Sequence, residues 1–213
     1  MTKILVVGDS YTNGRGCSDI SKDPEDLSPS NLCWAALLQK KIVGSTVKNL
    51  AMPGSDNVTI ARSVWNNVDP TTNAIVFCAS FISRIQVKHH IVDDITASIL
   101  ADFKHKELKE FKEYNSAINN YYRYLYNDQV GENISVASLM SAYACARQIN
   151  AKFYWSFSHY HEIANNPALK LIENHRFVSC SDFEYNRSEL APCRHPNDAG
   201  HLRYFQEVID PLF

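Results

Sequence analysis

Residues 3–7 read Lys-Ile-Leu-Val-Val and stop at Gly8-Asp9-Ser10, and this restricts the fold more than any other feature of the chain. A strand without polar alternation has to be covered on both faces, as in a parallel sheet between helical layers. Further strands are expected at Thr46–Ala51, Ala74–Ala79 and Lys152–Phe157, with Val178 in a short fifth. Helical spacing marks the stretches between them: about Asn31 to Ile42, a helix ending near Asn66, Glu132 to Asn150, and a closing amphipathic helix from Asn197 to Ile209. Alternation of this kind predicts one α/β domain over residues 1–213 with a mostly parallel sheet.

Two stretches depart from that rhythm. Thr12 to Pro29 is rich in Asp, Ser and Pro and reads as a surface loop. From 91 to 127, Leu108, Phe111, Ile118, Tyr122 and Leu125 recur at three- and four-residue intervals. Lys104, Lys106, Lys109 and Lys112 mark a solvated side, so one or two long extra helices are expected there. The tyrosines Tyr114, Tyr121, Tyr122, Tyr124 and Tyr126 are expected mainly to pack, although their amphipathic rings also suit an interface.

A length of 213 residues is enough to bury a substantial core, and 45% hydrophobic with 21% charged residues is ordinary for a globular domain. A net charge of −2 gives no general attraction to nucleic acid or an anionic membrane. No apolar stretch approaches a bilayer span, and the N-terminal apolar run is too short for a signal peptide, so a cytoplasmic protein is expected. The six cysteines form no CxxC pair and are read as free thiols, a Cys180–Cys193 bridge being the one alternative. No phosphate-binding glycine loop is present, and His159-Tyr160-His161 lacks metal-ligating partners at fitting spacing, so neither cofactor nor metal is expected.

The chemistry concentrates where strands end. Ser10 follows the first strand at the edge where open α/β proteins bind ligands. Gly8 allows the sharp turn before it, although a capped Gly-Asp-Ser turn would look the same. A serine hydroxyl needs a base. Arg194-His195-Pro196-Asn197 precedes the last helix, where Pro196 stiffens the loop and Asn197 or Asp198 can cap. After the second strand comes Asn49-Leu50-Ala51-Met52-Pro53-Gly54. The backbone N–H groups of Ser10 and Gly54 are candidate oxyanion donors. Ser55, Asp56 or Asn57 is expected to cap the next helix.

Gly8-Asp9-Ser10-Tyr11-Thr12-Asn13-Gly14, then Asn49 to Gly54, then His195-Pro196-Asn197 resemble the first, second and fifth blocks of the SGNH (GDSL-like) hydrolase family. In Gly54-Ser55-Asp56-Asn57 the style is similar to versions from large tailed phages. The resemblance implies a three-layer α/β/α, flavodoxin-like fold and cofactor-free ester hydrolysis. It makes Ser10 the nucleophile and His195 the base.

Two positions depart from the family. Its third block carries an asparagine that donates to the oxyanion. The matching strand end is Phe77-Cys78-Ala79-Ser80-Phe81-Ile82-Ser83-Arg84, where Ser80, Ser83 or Arg84 would have to substitute. Its usual Asp, three residues before the histidine, is Pro192 here. Asp182, Glu184, Glu189 or a backbone carbonyl would then orient His195, with Asp9 a further supporting candidate. The register Asp198-Ala199-Gly200-His201 fits the spacing literally, but Pro-Asn after His195 favours His195. The expected activity is ester hydrolysis, with O-acetyl groups on carbohydrate the leading substrate by family analogy. A rival reading is a catalytically weakened binding module, a virion component or homo-oligomer, with the tyrosine-rich helix as its surface.

Overall fold

The computed structural model describes residues 2–21, 23, 26–87, 90–92, 109–172 and 175–213. Its sheet holds β1 (Thr2–Val7), β2 (Ser45–Asn49), β3 (Thr72–Ala79) and β6 (Lys152–Phe157) in the order β2-β1-β3-β6, every neighbouring pair parallel. A two-stranded antiparallel hairpin, β4 (Ile85–Val87) and β5 (His90–Val92), stands apart from it. The helices are α1 (Ser10–Asn13), α2 (Trp34–Lys41), α3 (Asn57–Asn67), α4 (Lys109–Tyr124), α5 (Asp128–Gln148) and α6 (Asp198–Tyr204).

Alternation along the strands sorts the core into two layers. Leu5 and Val7, Ile75, Phe77 and Ala79, and Phe153, Trp155 and Phe157 share one face with Ile60 and Val64 of α3 and Leu139 and Ala142 of α5. Ile4 and Val6, Val76 and Cys78, and Tyr154 share the other with Trp34 and Leu38 of α2 and Tyr204 of α6. Ile4, Leu5, Val6 and Val7 are fully buried. Each contributes roughly 1.5–3 kcal/mol by leaving water, which explains why this strand needs no polar face. The architecture is the expected three-layer α/β/α arrangement.

Because all four strands run the same way, the segments following Val7, Asn49, Ala79 and Phe157 emerge at one edge. Main-chain bonds tie them together there: Met52 N–H donates to the Gly8 carbonyl (3.1 Å) and Ser158 N–H to the Ala79 carbonyl (3.3 Å).

Several boundaries differ from expectation. The stretch from Thr12 is not loop throughout, since α1 occupies Ser10–Asn13 and both Thr12 and Asn13 are buried. Asn13 Nδ2 donates to the carbonyls of Ala51 (2.9 Å) and Leu27 (3.1 Å), drawing that segment onto the sheet edge. Val178 joins no strand. The fifth-strand pairing is an isolated bridge from Trp155 to Arg176, and Val178 is half exposed. In the 91–127 region, residues 91 and 92 belong to β5 and α4 is a helix, while residues 93–108 lie outside the described set. Buried Ile118 and half-buried Tyr122, whose hydroxyl donates to the Ser83 carbonyl at 2.6 Å, dock α4. The rings of Tyr121, Tyr122 and Tyr126 pack together, whereas Tyr124 is two-thirds exposed beneath Arg123. All six cysteines are free, Cys180 and Cys193 included.

Candidate active site

Ser10 is the first residue of α1, and Asp9 is its N-cap, accepting the Tyr11 N–H at 3.0 Å. At the head of a helix, the Ser10 N–H has no partner within that helix. A side chain at position 8 would run into Thr12, with an added Cβ 2.8 Å from the Thr12 Cβ, so the turn onto Ser10 requires glycine.

His195 comes from a tight loop at the other end of the chain. Ala191 N–H donates to the His195 carbonyl (2.8 Å), Arg194 N–H donates to the Ala191 carbonyl (2.8 Å), and Arg194 takes a positive φ of 65°. Asn197 caps α6 through the Gly200 N–H at 3.1 Å. These bonds hold the ring so that Nε2 lies 2.9 Å from Ser10 Oγ. Nδ1 faces the Cys193 carbonyl at 3.2 Å, and the Tyr11 ring stands 4.7 Å from the imidazole centroid to centroid. A carbonyl only accepts, so Nδ1 carries the proton and Nε2 is left as the acceptor for the serine hydroxyl. Burial pushes the His195 pKa down, against the opposing effects of Asp9 and the Cys193 carbonyl. The ring is thus neutral, and ready to take a proton, near neutrality.

His201 sits elsewhere. It is fully buried on α6, its Nδ1 accepts the Trp34 N–H at 3.4 Å, and burial lowers its pKa to about 4. Asp198 is engaged by the Ser18 N–H (2.8 Å) and hydroxyl (2.6 Å). Among the described residues no hydrogen bond joins His201 to Ser10.

The remaining sequence candidates divide. Ser80 is fully buried, and its hydroxyl donates at 3.0 Å to Oδ2 of Asp9, the residue before Ser10. A hydroxyl has one proton, so in this arrangement Ser80 has none for an oxyanion. Arg84 Nη1 reaches both Asp9 Oδ2 (2.9 Å) and Ser80 Oγ (2.7 Å). Ser83 anchors Tyr122 through its carbonyl. Asp182 accepts the His159 N–H through both oxygens (3.1 and 2.8 Å), and Glu189 pairs with Arg203 at 2.8 Å. Glu184 offers its carbonyl to Arg203. Gly54 has a φ of 77° in the turn that Met52 ties to Gly8.

Asn57 was expected only as a helix-cap candidate. Asp56 is the cap, accepting the Thr59 N–H at 2.7 Å. Asn57 instead takes the Ser80 N–H on Oδ1 (2.7 Å) and donates through Nδ2 to the Ser80 carbonyl (3.2 Å) and Ser135 Oγ (2.9 Å). It fixes the strand end that carries Ser80. Only the adjacency of asparagine to a capping aspartate hinted at this.

No family model matches the sequence, and no curated protein is similar to it in sequence. Solved structures are similar in fold. TesA is 13% identical with a TM-score of 0.58, over 99% of this chain and 97% of its own. The psychrotrophic esterase EstA from Pseudoalteromonas sp. is 12% identical with a TM-score of 0.56, over 97% and 94%. The fold is that of the SGNH hydrolases. A family two carbohydrate esterase from Clostridium thermocellum, solved with cellohexaose, is 13% identical with a TM-score of 0.54, over 96% of this chain and 61% of its own. At such identities the likeness concerns the fold. Among the described residues no helix is long and apolar enough to cross a membrane.

Proposed function

We propose that the chain is a serine ester hydrolase of the SGNH type, and the contact that carries this reading is Ser10 Oγ to His195 Nε2 at 2.9 Å. His195 takes the hydroxyl proton as Ser10 attacks the ester carbonyl, then returns it to the leaving alcohol. Water, activated by the same ring, releases the acyl group from Ser10. The N–H groups of Ser10 and Gly54 stabilise the oxyanion. With the Ser80 hydroxyl directed to Asp9, one donor of the usual set is missing. Such a loss costs about 10²–10³ in rate, which makes a slow enzyme and still leaves an enzyme.

O-acetyl groups on carbohydrate are the substrate class we favour. The family two carbohydrate esterase supports this choice as a neighbour in fold. The same commitment of Ser80 favours a second reading, a binding module that has kept the fold and lost turnover. Hydrolysis of p-nitrophenyl acetate and release of acetate from acetylated xylan separate the two. The enzyme reading expects turnover that falls about 10³-fold or more in Ser10→Ala. No turnover by the folded wild-type protein on either ester supports the binding module.

A further inference from the structure

Among the described residues no carboxylate bonds to His195 Nδ1, where a Ser-His-Asp triad would place one; that nitrogen faces the Cys193 carbonyl. Asp182 and Glu189 are engaged by His159 and Arg203. A buried carboxylate does stand in the residue before Ser10, the partner of Nε2. Asp9, only 4% exposed, directly precedes Ser10, and Tyr11, whose N–H it accepts, lays its ring against His195.

This carboxylate is held more firmly than a helix cap requires. Oδ1 takes the Tyr11 N–H, while Oδ2 takes both the Ser80 hydroxyl and Arg84 Nη1. Ser80 is in turn clamped by Asn57, and the Arg84 guanidinium lies 4.9 Å above the Phe81 ring. A buried carboxylate is costly unless paired, and the Arg84 guanidinium at 2.9 Å is the partner that holds Asp9 in place.

We propose that Asp9 and Arg84 form a positioning pair for His195: the Asp9 carboxylate is the counter-charge for the imidazolium, and Arg84 fixes that carboxylate and limits its strength. The catalytic consequence rests on the ester hydrolase reading; the electrostatic part does not. When the Ser10 proton moves to Nε2, the ring becomes positive. Asp9 then stabilises it through space from the nucleophile's side.

The charged and titratable groups facing His195 are Asp9 before α1, Tyr11 on α1, Arg15 after it, Arg84 beyond β3 and His201 on α6. Among the described residues Asp9 is the one acid of this group, and it opposes the effects of burial, Arg84 and Arg15 on the ring.

The test is an NMR titration of the His195 ring in the full-length chain, with the resonance assigned by its loss in His195→Gln. Asp9→Asn keeps an oxygen to cap α1 but removes the charge. It should lower the His195 midpoint by about half to one pH unit, and Arg84→Gln should raise it by a similar amount. Arg84→Lys should stay near wild type, and the double variant Asp9→Asn/Arg84→Gln should return towards it. The acid limb of p-nitrophenyl acetate hydrolysis should follow the same order. A merely structural Asp9 would change stability without moving the midpoint, and that result in folded Asp9→Asn overturns the pair. If Asp9→Asn does not fold, Arg84→Gln decides alone: an unmoved or lowered midpoint overturns the proposal. Because the titration needs no turnover, the expected shifts in a protein without esterase activity would refute the enzyme reading and leave the pair standing.

Discussion

His195 Nδ1 lies 3.2 Å from the Cys193 carbonyl, two residues back in the same loop. The loop that carries His195 therefore also sets its tautomer, a task that triad hydrolases give to a separate carboxylate. A neutral dipole does this with less stabilisation of the imidazolium than an anion gives. The Ser10 hydroxyl and an oriented His195 ring nonetheless meet at one sheet edge.

His195 and His201 should separate cleanly by mutation. His195→Ala removes the group on Ser10, so turnover should fall about 10³-fold or more with little loss of stability. His201→Ala empties a fully buried site on α6 and should cost about 2–4 kcal/mol in urea unfolding while leaving kcat within a few-fold. Loss of activity in folded His201→Ala, with His195→Ala active, would assign the base to the other register.

Acid should destabilise the protein through His201. Its folded pKa of about 4 lies below the ordinary 6.5, so between those values the unfolded chain binds the extra proton. Stability should thus fall as pH drops through that window, by roughly 3 kcal/mol at most. Chemical denaturation between pH 7 and pH 4 measures the slope. His201→Gln should flatten it, and an unchanged slope would remove His201 as its source.

Much of this was legible in the sequence, for identifiable reasons. The unbroken apolar run of β1 admitted hardly any placement but a covered parallel strand, and Pro196-Asn197 marked a stiff loop at a helix start. The β4–β5 hairpin was not legible, because Ile85-Gln86-Val87 is too short to show a period. The Cys193 carbonyl was out of reach for another reason: a backbone group is present at every residue, and only the fold selects one. Nor does the order of residues reveal that the Ser80 proton goes to Asp9, since β3 must first lie beside β1.

Gly16 should be intolerant of a side chain for the sake of the base. A Cβ there would meet the backbone oxygens of Pro196 and His195, the latter at 2.8 Å. Its φ is not in the left-handed region, so the conflict is one of space. Gly16→Ala should push the 194–196 segment away from Ser10 and lower kcat about 10²-fold, with a smaller effect on Tm. Wild-type kcat in this variant would show that the loop yields without moving the ring.

The central claim is that Ser10 is a nucleophile activated by His195. Mass spectrometry of the protein after treatment with an organophosphonate ester tests it most directly, because attack leaves a stable adduct on the attacking oxygen. The account predicts one adduct, on the peptide carrying Ser10, formed slowly in His195→Ala and absent in Ser10→Ala. An adduct on another residue, or none in a folded protein that still hydrolyses p-nitrophenyl acetate, would contradict it.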